Sequence, residues 1–456
     1  MRAGAARAAL LALMLVVGGR AAFAQSEPPL SIPPTPQLPP PGEAIPIEGW
    51  LLFPTIKTYS ILSDNLFQSP TAPLAVAGVG VTPALTAEWT NGIHTTTLTG
   101  NFDRQVYPSD NQINTFDHQV SATQRYDPLP DLSFHATVDY THKTISSGLQ
   151  NAIPGLPSTN QSVVLPNGDT LLPNGTIVSP SGQVVGHESP FAGANGTSTV
   201  NPYDQYTGTF GFDKIFNRAI LSLTAAVMRT NYVNTDAQDF STQSLTGSTG
   251  VWLGPLFYAF SDGSVAKNSG TIQSPGATTS YQVRGGIGTR QFGLFRASAY
   301  YGHQGSQSSN GNAGGEIYGA SLSYYPTPPW TLTASADETV NMASQSFVSQ
   351  LALTTPGLTP LQIPLGSSTR ITATTLTSQY NIDPQWTTSE HFGFTTIQYI
   401  NSTRLDDTFF ADATLTYNIW RNMTLSWEYQ YNQIKSNAPL TSTKRNYGIM
   451  SALYKF

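Results

Sequence analysis

The last ten residues of this 456-residue chain alternate strictly. Tyr447, Ile449, Ser451, Leu453 and Lys455 fall on one face of an extended segment, and Gly448, Met450, Ala452, Tyr454 and Phe456 fall on the other. Segments of the same period recur from Phe53 onward, about sixteen of them, bounded by Gly, Pro, Asn and Asp. Such a chain is bound to strand pairing, because side chains two apart share a face and a one-residue slip would exchange the two faces entirely.

Four segments are clean enough to assign. Leu132, Phe134, Ala136, Val138 and Tyr140 oppose Ser133, His135, Thr137, Asp139 and Lys143. Phe409, Ala411, Ala413, Leu415, Tyr417 and Ile419 oppose Phe410, Asp412, Thr414, Thr416 and Asn418. Met423, Leu425, Trp427, Tyr429 and Tyr431 oppose Thr424, Ser426, Glu428, Gln430 and Asn432, while Leu221, Leu223, Ala225 and Val227 oppose Ser222, Thr224 and Ala226. One set in each suits lipid and the other suits water.

The N-terminus gives the compartment. Arg2 and Arg7 precede an apolar run near Ala8 to Val17, and Ala22, Phe23 and Ala24 form a signal-peptidase site, so residues 1–24 read as an export signal. The chain has no cysteine, which excludes a lipoprotein anchor, disulfides and thiolate metal sites. Residues 25–49 read as a leader, for Pro28 to Pro46 holds nine prolines and favours a stiff polyproline II spacer.

Residues 50–456 then read as the membrane domain. Charged residues make up 11% of the chain, against about 25% in soluble proteins, with small polar residues in their place. No mature segment is long and apolar enough for a spanning helix. In hydrocarbon every peptide group must be paired within the protein, which leaves a closed barrel as the spanning alternative. The net charge of −6, which becomes more negative when Arg2, Arg7 and Arg20 leave with the signal, argues against nucleic acid as a partner.

The connections point the same way, with short and long links alternating. Short ones fall near Asn91-Gly92, Asp127 to Asp131, Ile215 to Arg218, Gln291 to Gly293, Pro326 to Pro329, Asp383 to Gln385 and Trp420 to Asn422. Longer ones fall near Ser63 to Leu74, Pro108 to Ile113, Thr144 to Pro202, Val233 to Thr279, Gln304 to Gly315, Met342 to Ser368, Asn401 to Asp406 and Gln433 to Ser442. Outer-membrane barrels have tight periplasmic turns and longer extracellular loops, so the expected fold is an all-β, transmembrane antiparallel barrel of about sixteen strands with long extracellular loops. Trp50, Trp89, Trp330, Trp386 and Trp420 cluster near the short links, as interfacial aromatics do. Pro83 predicts a bulge, because it cannot donate to a ladder.

Tyr59 to Phe67 (YSILSDNLF), Val81 to Leu85 (VTPAL) and Phe102 to Tyr107 together resemble the opening of the family called putative β-barrel porin 2. The resemblance implies an outer-membrane barrel and supplies no catalytic residue.

Candidate lumen-lining residues are Asp103, Asp117, Arg125, His135, Asp139, Arg284, Arg290, Asp412 and Glu428, with Glu88, Asp213 and Lys143 on the same inferred faces. Tyr454 and Phe456 read as the insertion signal for the barrel-assembly machinery. A symmetric hairpin about Asp110 would place Asp103 opposite Asp117, a pair suited to attracting cations. Ser133, His135 and Asp139, with Ser121 and Gln119 beside them, would make a hydrolytic triad only if Ser121 approached His135. Ordinary lumen-lining is the simpler reading, so no enzyme activity, metal site or cofactor is expected. The repeated LPNGDTL and LPNGTIV of residues 165–178 predict a small β-finger on Asn-Gly turns, and the aromatic run Trp252 to Phe260 is placed in a loop.

The expectation is a porin-like passive channel for small hydrophilic solutes in the bacterial outer membrane, in contact with its lipid and lipopolysaccharide. The alternative is a structural barrel that binds surface polysaccharide through the loops at 144–202 and 233–279.

Overall fold

A computed structural model describes residues 44–66, 73–146, 200–233, 239–270, 278–308, 311–341, 369–400, 403–437 and 442–456, with four short strands inside 163–187. Residues 1–43, on which the expected signal and most of the expected leader fall, lie outside the described residues. The elements are β1 (Ile45–Ile47), β2 (Trp50–Ser63), β3 (Val76–Thr90), β4 (His94–Val106), β5 (Thr115–Leu129), β6 (Leu132–Ser146), β7 (Val163–Val164), β8 (Thr170–Leu171), β9 (Thr176–Val178) and β10 (Val184–His187). They continue as β11 (Val200–Ile215), β12 (Ala219–Tyr232), β13 (Phe240–Trp252), β14 (Phe257–Gly270), β15 (Thr278–Thr289), β16 (Phe295–Ser308), β17 (Gly311–Thr327) and β18 (Trp330–Asn341). The last five are β19 (Thr369–Asn381), β20 (Trp386–Tyr399), β21 (Leu405–Trp420), β22 (Met423–Ser436) and β23 (Thr443–Lys455).

Consecutive wall strands pair antiparallel, and the first meets the last, from Thr55↔Lys455 to Ser63↔Tyr447. The result is a closed ring of 18 strands. Two more strands are present than the sequence pattern suggested. They are β13 and β14, which occupy most of the stretch expected to be the loop 233–279 and place Trp252 to Phe260 in a hairpin, with Leu253 N–H bonded to the Phe257 carbonyl at 3.0 Å. The run FSTQSLTGSTGVW carries little apolar contrast between its faces, yet its backbone pairs from Thr230↔Phe240 to Ala219↔Val251. The outer link Gln304 to Gly315 is also not long, because pairing continues to Ser308↔Gly311.

Pro83 produces no bulge. Pairing lapses at Thr82 and Pro83, but Val81↔Arg104 and Ala84↔Asn101 keep one register, so no residue is inserted. Thr82 Oγ1 bridges the gap by donating to Asp103 Oδ1 at 2.7 Å. Pro54 is placed with similar economy. It lies in β2 between the part paired with β1 (Ile45↔Leu52) and the part paired with β23 (Thr55↔Lys455), where it needs only its carbonyl, which accepts Phe456 N–H at 3.1 Å. The two-residue turn from β1 to β2 has positive φ at Glu48 (47°) and Gly49 (87°), the type I′ geometry that matches strand twist.

In the insert after β6, β7 to β10 form a separate four-stranded antiparallel sheet, with Val163↔Leu171 and Leu171↔Ile177 among its pairs. Its short strands flank the two Asn-Gly sites.

The two faces of the wall differ in chemistry. Val138, Phe210, Val227, Leu245, Val265 and Val283 are exposed on successive strands, whereas Ser133, Asp213, Thr230 and Ser280 are buried on the opposite face. In a closed ring the exposed apolar face is the outside. Trp50 and Trp89 pair at the short-turn end of β2 and β3, and Trp386 stacks on Tyr417 with centroids 4.3 Å apart near the same end.

Close packing along the wall repeatedly sets an aromatic ring across a glycine directly opposite it. The pairs include Tyr59 with Gly80, Tyr258 with Gly288, Phe260 with Gly286, Tyr300 with Gly319 and Phe410 with Gly393. A Cβ at Gly393 would overlap the Phe410 ring, whereas one at Gly100 would meet nothing. Gly393→Val should therefore destabilise the folded barrel by roughly 1–3 kcal/mol, the usual cost of overpacking. Urea titration in vesicles, read by the heat-modifiable gel shift, checks this, with Gly100→Ala expected to stay near wild type; equal midpoints for all three proteins would contradict it.

Candidate functional site

The inner wall is built from the alternate residues of each strand, so its chemistry follows from the polar half of the pattern. Hydroxyls meet across neighbouring strands, with Thr123 and Thr137 Oγ1 at 3.1 Å, Ser298 and Ser321 Oγ at 2.6 Å, and Ser426 and Ser451 Oγ at 2.6 Å. Each pair uses one hydrogen and leaves the other capacity of both oxygens toward the bore.

Asp103 stands directly opposite Asp117 in the β4–β5 hairpin. It accepts from Tyr59 Oη at 2.6 Å, Thr82 Oγ1 at 2.7 Å and Gln105 Nε2 at 2.8 Å, while Asp117 Oδ1 accepts the Thr144 N–H at 2.8 Å. Asp139 accepts from Gln119 Nε2 at 2.6 Å and Thr141 Oγ1 at 2.9 Å. The donors to Asp103 and Asp139 are neutral, so they hold these two carboxylates without cancelling their charge.

The cations are held differently. Arg125 Nε lies 2.9 and 2.8 Å from the two carboxylate oxygens of Asp127, and Arg284 Nε lies 2.7 and 2.8 Å from those of Asp262. Arg284 also sits 4.8 Å over the Tyr300 ring. Arg290 falls just past the end of β15, exposed at the short-turn mouth with its guanidinium 3.7 Å over Trp252. Asp412 Oδ1 is 3.0 Å from His391 Nδ1, and Glu428 accepts from Gln430 on the same strand.

The condition for a triad, an approach of Ser121 to His135, is not met. Ser121 faces Asp139 across β5 and β6, whereas His135 faces Arg125. The carboxylate beside His135 is Asp213, 3.5 Å from its Nδ1, and Ser222 donates to Asp213 at 2.5 Å, not to the imidazole. Among the described residues no group of three His, Asp or Glu side chains is disposed to hold a metal ion. Tyr454 and Phe456 pack edge to face at 4.9 Å and are 38% and 60% exposed, on the outer face beside the closing seam.

Sequence reasoning missed what the link Tyr107–Asn114 does. It folds inward: Tyr107 and Ile113 are buried against Ile61 and Val76, which face the bore from β2 and β3, and a 3₁₀ turn over Asn111–Ile113 shapes it. Asn114 Oδ1 accepts the Tyr107 N–H at 2.7 Å, and the Tyr107 ring lies over Gly78. Burial pushes the Tyr107 phenol up from its ordinary pKa. The available signal was Ile113 itself, an apolar residue alone in the polar link PSDNQIN.

Residues 364–456 match the family model described as putative beta-barrel porin 2. That match covers β19 to β23, whereas the motifs of residues 59–107 lie in β2 to β4 and the following link. No curated protein sequence matches the chain. Among solved structures, the chain is similar to OpdL of Pseudomonas aeruginosa (9% identity, TM-score 0.46, covering 90% of this chain and 99% of that chain). It is similar also to the FrpB iron transporter of Neisseria meningitidis, F5-1 variant (8%, 0.49, 91% and 83%), and to OccK2 (OpdF) of Pseudomonas aeruginosa (9%, 0.49, 89% and 98%). The fold itself is a closed, all-antiparallel β-barrel of 18 strands.

Ile113→Ala should strip roughly 2 kcal/mol or more of packing from the inward link, as large-to-small core changes do. Hydrogen exchange of the Tyr107, Ile113 and Asn114 amides should then quicken at least about tenfold while β2 and β3 keep their protection. Unchanged exchange would show that the link is not held by this contact.

Proposed function

We propose that this chain is a passive, water-filled diffusion channel of the bacterial outer membrane, admitting small hydrophilic solutes with a preference for cations. The observation that carries the reading is the polar inner face of a closed 18-strand ring. A ring of this size encloses more space than its own side chains fill, unlike an eight-stranded barrel. Hydroxyl pairs and amides along the wall replace water for a passing solute, and the Tyr107–Asn114 link narrows the bore on one side.

The sign of the selectivity follows from how charges are held. Arg125 and Arg284 are each locked to a carboxylate, whereas Asp103 and Asp139 are held by neutral Tyr, Thr and Gln donors. The field left over in the bore is negative, and rings of acidic residues favour cations. Screening over about 8 Å at physiological salt keeps the preference modest.

The purified protein in a planar bilayer should conduct, with a reversal potential under a KCl gradient displaced toward the potassium equilibrium value. Asp103→Asn with Asp139→Asn should move it toward zero. Arg284→Ala, which frees Asp262, should move it the other way. Silent bilayers containing correctly folded protein would overturn the channel reading; conduction with no response to either change would overturn the account of selectivity.

A further inference from the structure

On β4 to β6, β11 and β12 the outer face carries a row of side chains that does not suit hydrocarbon. Phe102, His118, His142, Asp204 and Asn231 stand side by side on β4, β5, β6, β11 and β12, each directly opposite the next. They lie near the long-loop end of the wall, above the exposed Val120, Val138, Phe210 and Val227. In an outer-membrane barrel that level is the headgroup layer of the outer leaflet.

The row is an aromatic platform with polar edges. His118 and His142 stack at 4.9 Å and 15°, Phe102 and Phe116 stack at 6.3 Å, and Tyr140 and Tyr206 meet at 5.1 Å. His142 Nδ1 is 2.8 Å from Asp204 Oδ1, which also accepts from Tyr140 Oη at 2.9 Å. Two guanidinium groups flank the platform. Arg104, beside Phe116, is exposed; Arg229, beside Tyr206, is exposed and donates from Nε to the neutral Asn231 Oδ1 at 2.9 Å. Asp204 is thus tied to the wall's own donors, and Asp239 borders the patch only beyond Asn231.

We infer that this outward patch binds a phosphorylated glycolipid of the outer leaflet. Sugar rings stack their C–H faces on aromatic side chains, and Asp, Asn and His at the edges bond hydroxyls. Arginine supplies the planar, charge-assisted contacts that phosphate prefers. A hydrocarbon chain attached to such a headgroup would continue down the apolar wall beneath the row. The inference rests on the outer-membrane reading but not on conduction.

The test uses detergent-purified full-length protein and native mass spectrometry with three probes: a diphosphorylated glucosamine glycolipid, the same lipid dephosphorylated, and phosphatidylglycerol. The diphosphorylated lipid should bind about tenfold or more tightly than either of the others, a difference one or two charge-assisted contacts supply. Arg104→Ala combined with Arg229→Ala should abolish that advantage. Lys267→Ala, on β14, should leave it intact. Equal binding of the dephosphorylated lipid, equal binding of phosphatidylglycerol, or full affinity in the double variant would each overturn the inference. The heat-modifiable gel shift confirms that each variant is folded. Planar-bilayer conductance of the double variant should match wild type, so a failed channel reading and a failed lipid site give different results.

Discussion

Everything else in this structure depends on the pairing of β2 with β23. An open sheet of the same strands would leave two rows of peptide groups facing lipid, each unpaired group costing several kcal/mol. Closure removes both rows at once, and the details at the seam show how fully it does so. Phe456 N–H reaches the Pro54 carbonyl, and β1 takes over beside β2 near the point where β23 ends. The proline stands where its missing donor is least needed. The type I′ turn at Glu48 and Gly49 brings β1 into that place, so residues 45–47 extend the pairing of β2.

Inside this constraint, small residues set the local geometry. Tyr281 over Gly305 on the outer face and Tyr258 over Gly288 on the inner face follow one rule, a ring laid across the residue that has no side chain. Such pairs supply contact area and also fix register, because a slip of one residue would set the ring against a Cβ and turn it to the other face. The Thr82 to Asp103 bond does comparable work at the position where Pro83 weakens the ladder.

The sequence pattern carried the fold class and the two faces, because both follow from period 2 and from hydrocarbon's intolerance of unpaired backbone. It did not carry the β13–β14 hairpin, whose alternation is diluted by Ser, Thr and Gly; pairing needs backbone, not apolar contrast, and so leaves little trace there. The alternation assigns residues to faces but not to partners. That Asp103 would face Asp117 follows from hairpin symmetry, while the approach of His391 to Asp412 or of Asp213 to His135 depends on registers between strands that no local motif encodes. The family match to residues 364–456 and the resemblance in residues 59–107 look like opposite ends of the chain. Across the β2–β23 seam they are one continuous sector of wall.

The same packing rule bears on whether the bore stays open. Tyr59, Tyr258, Phe260, Tyr300 and Phe410 all face inward, and upright rings at these positions would crowd the lumen with aromatic carbon. Each lies instead along the wall over an opposed glycine, and Tyr258 is only 1% exposed and Phe260 9% as a result. Aromatic area that would obstruct the bore is thereby converted into wall contact, and the surface that remains facing water is the hydroxyl, amide and carboxylate lining. On the channel reading proposed above, selectivity would be set by which charges are cancelled within that lining, since a carboxylate held by Tyr and Gln keeps its field and an arginine held by aspartate does not. The charge that such a wall presents inward depends on how its side chains are tied down as much as on which side chains it contains.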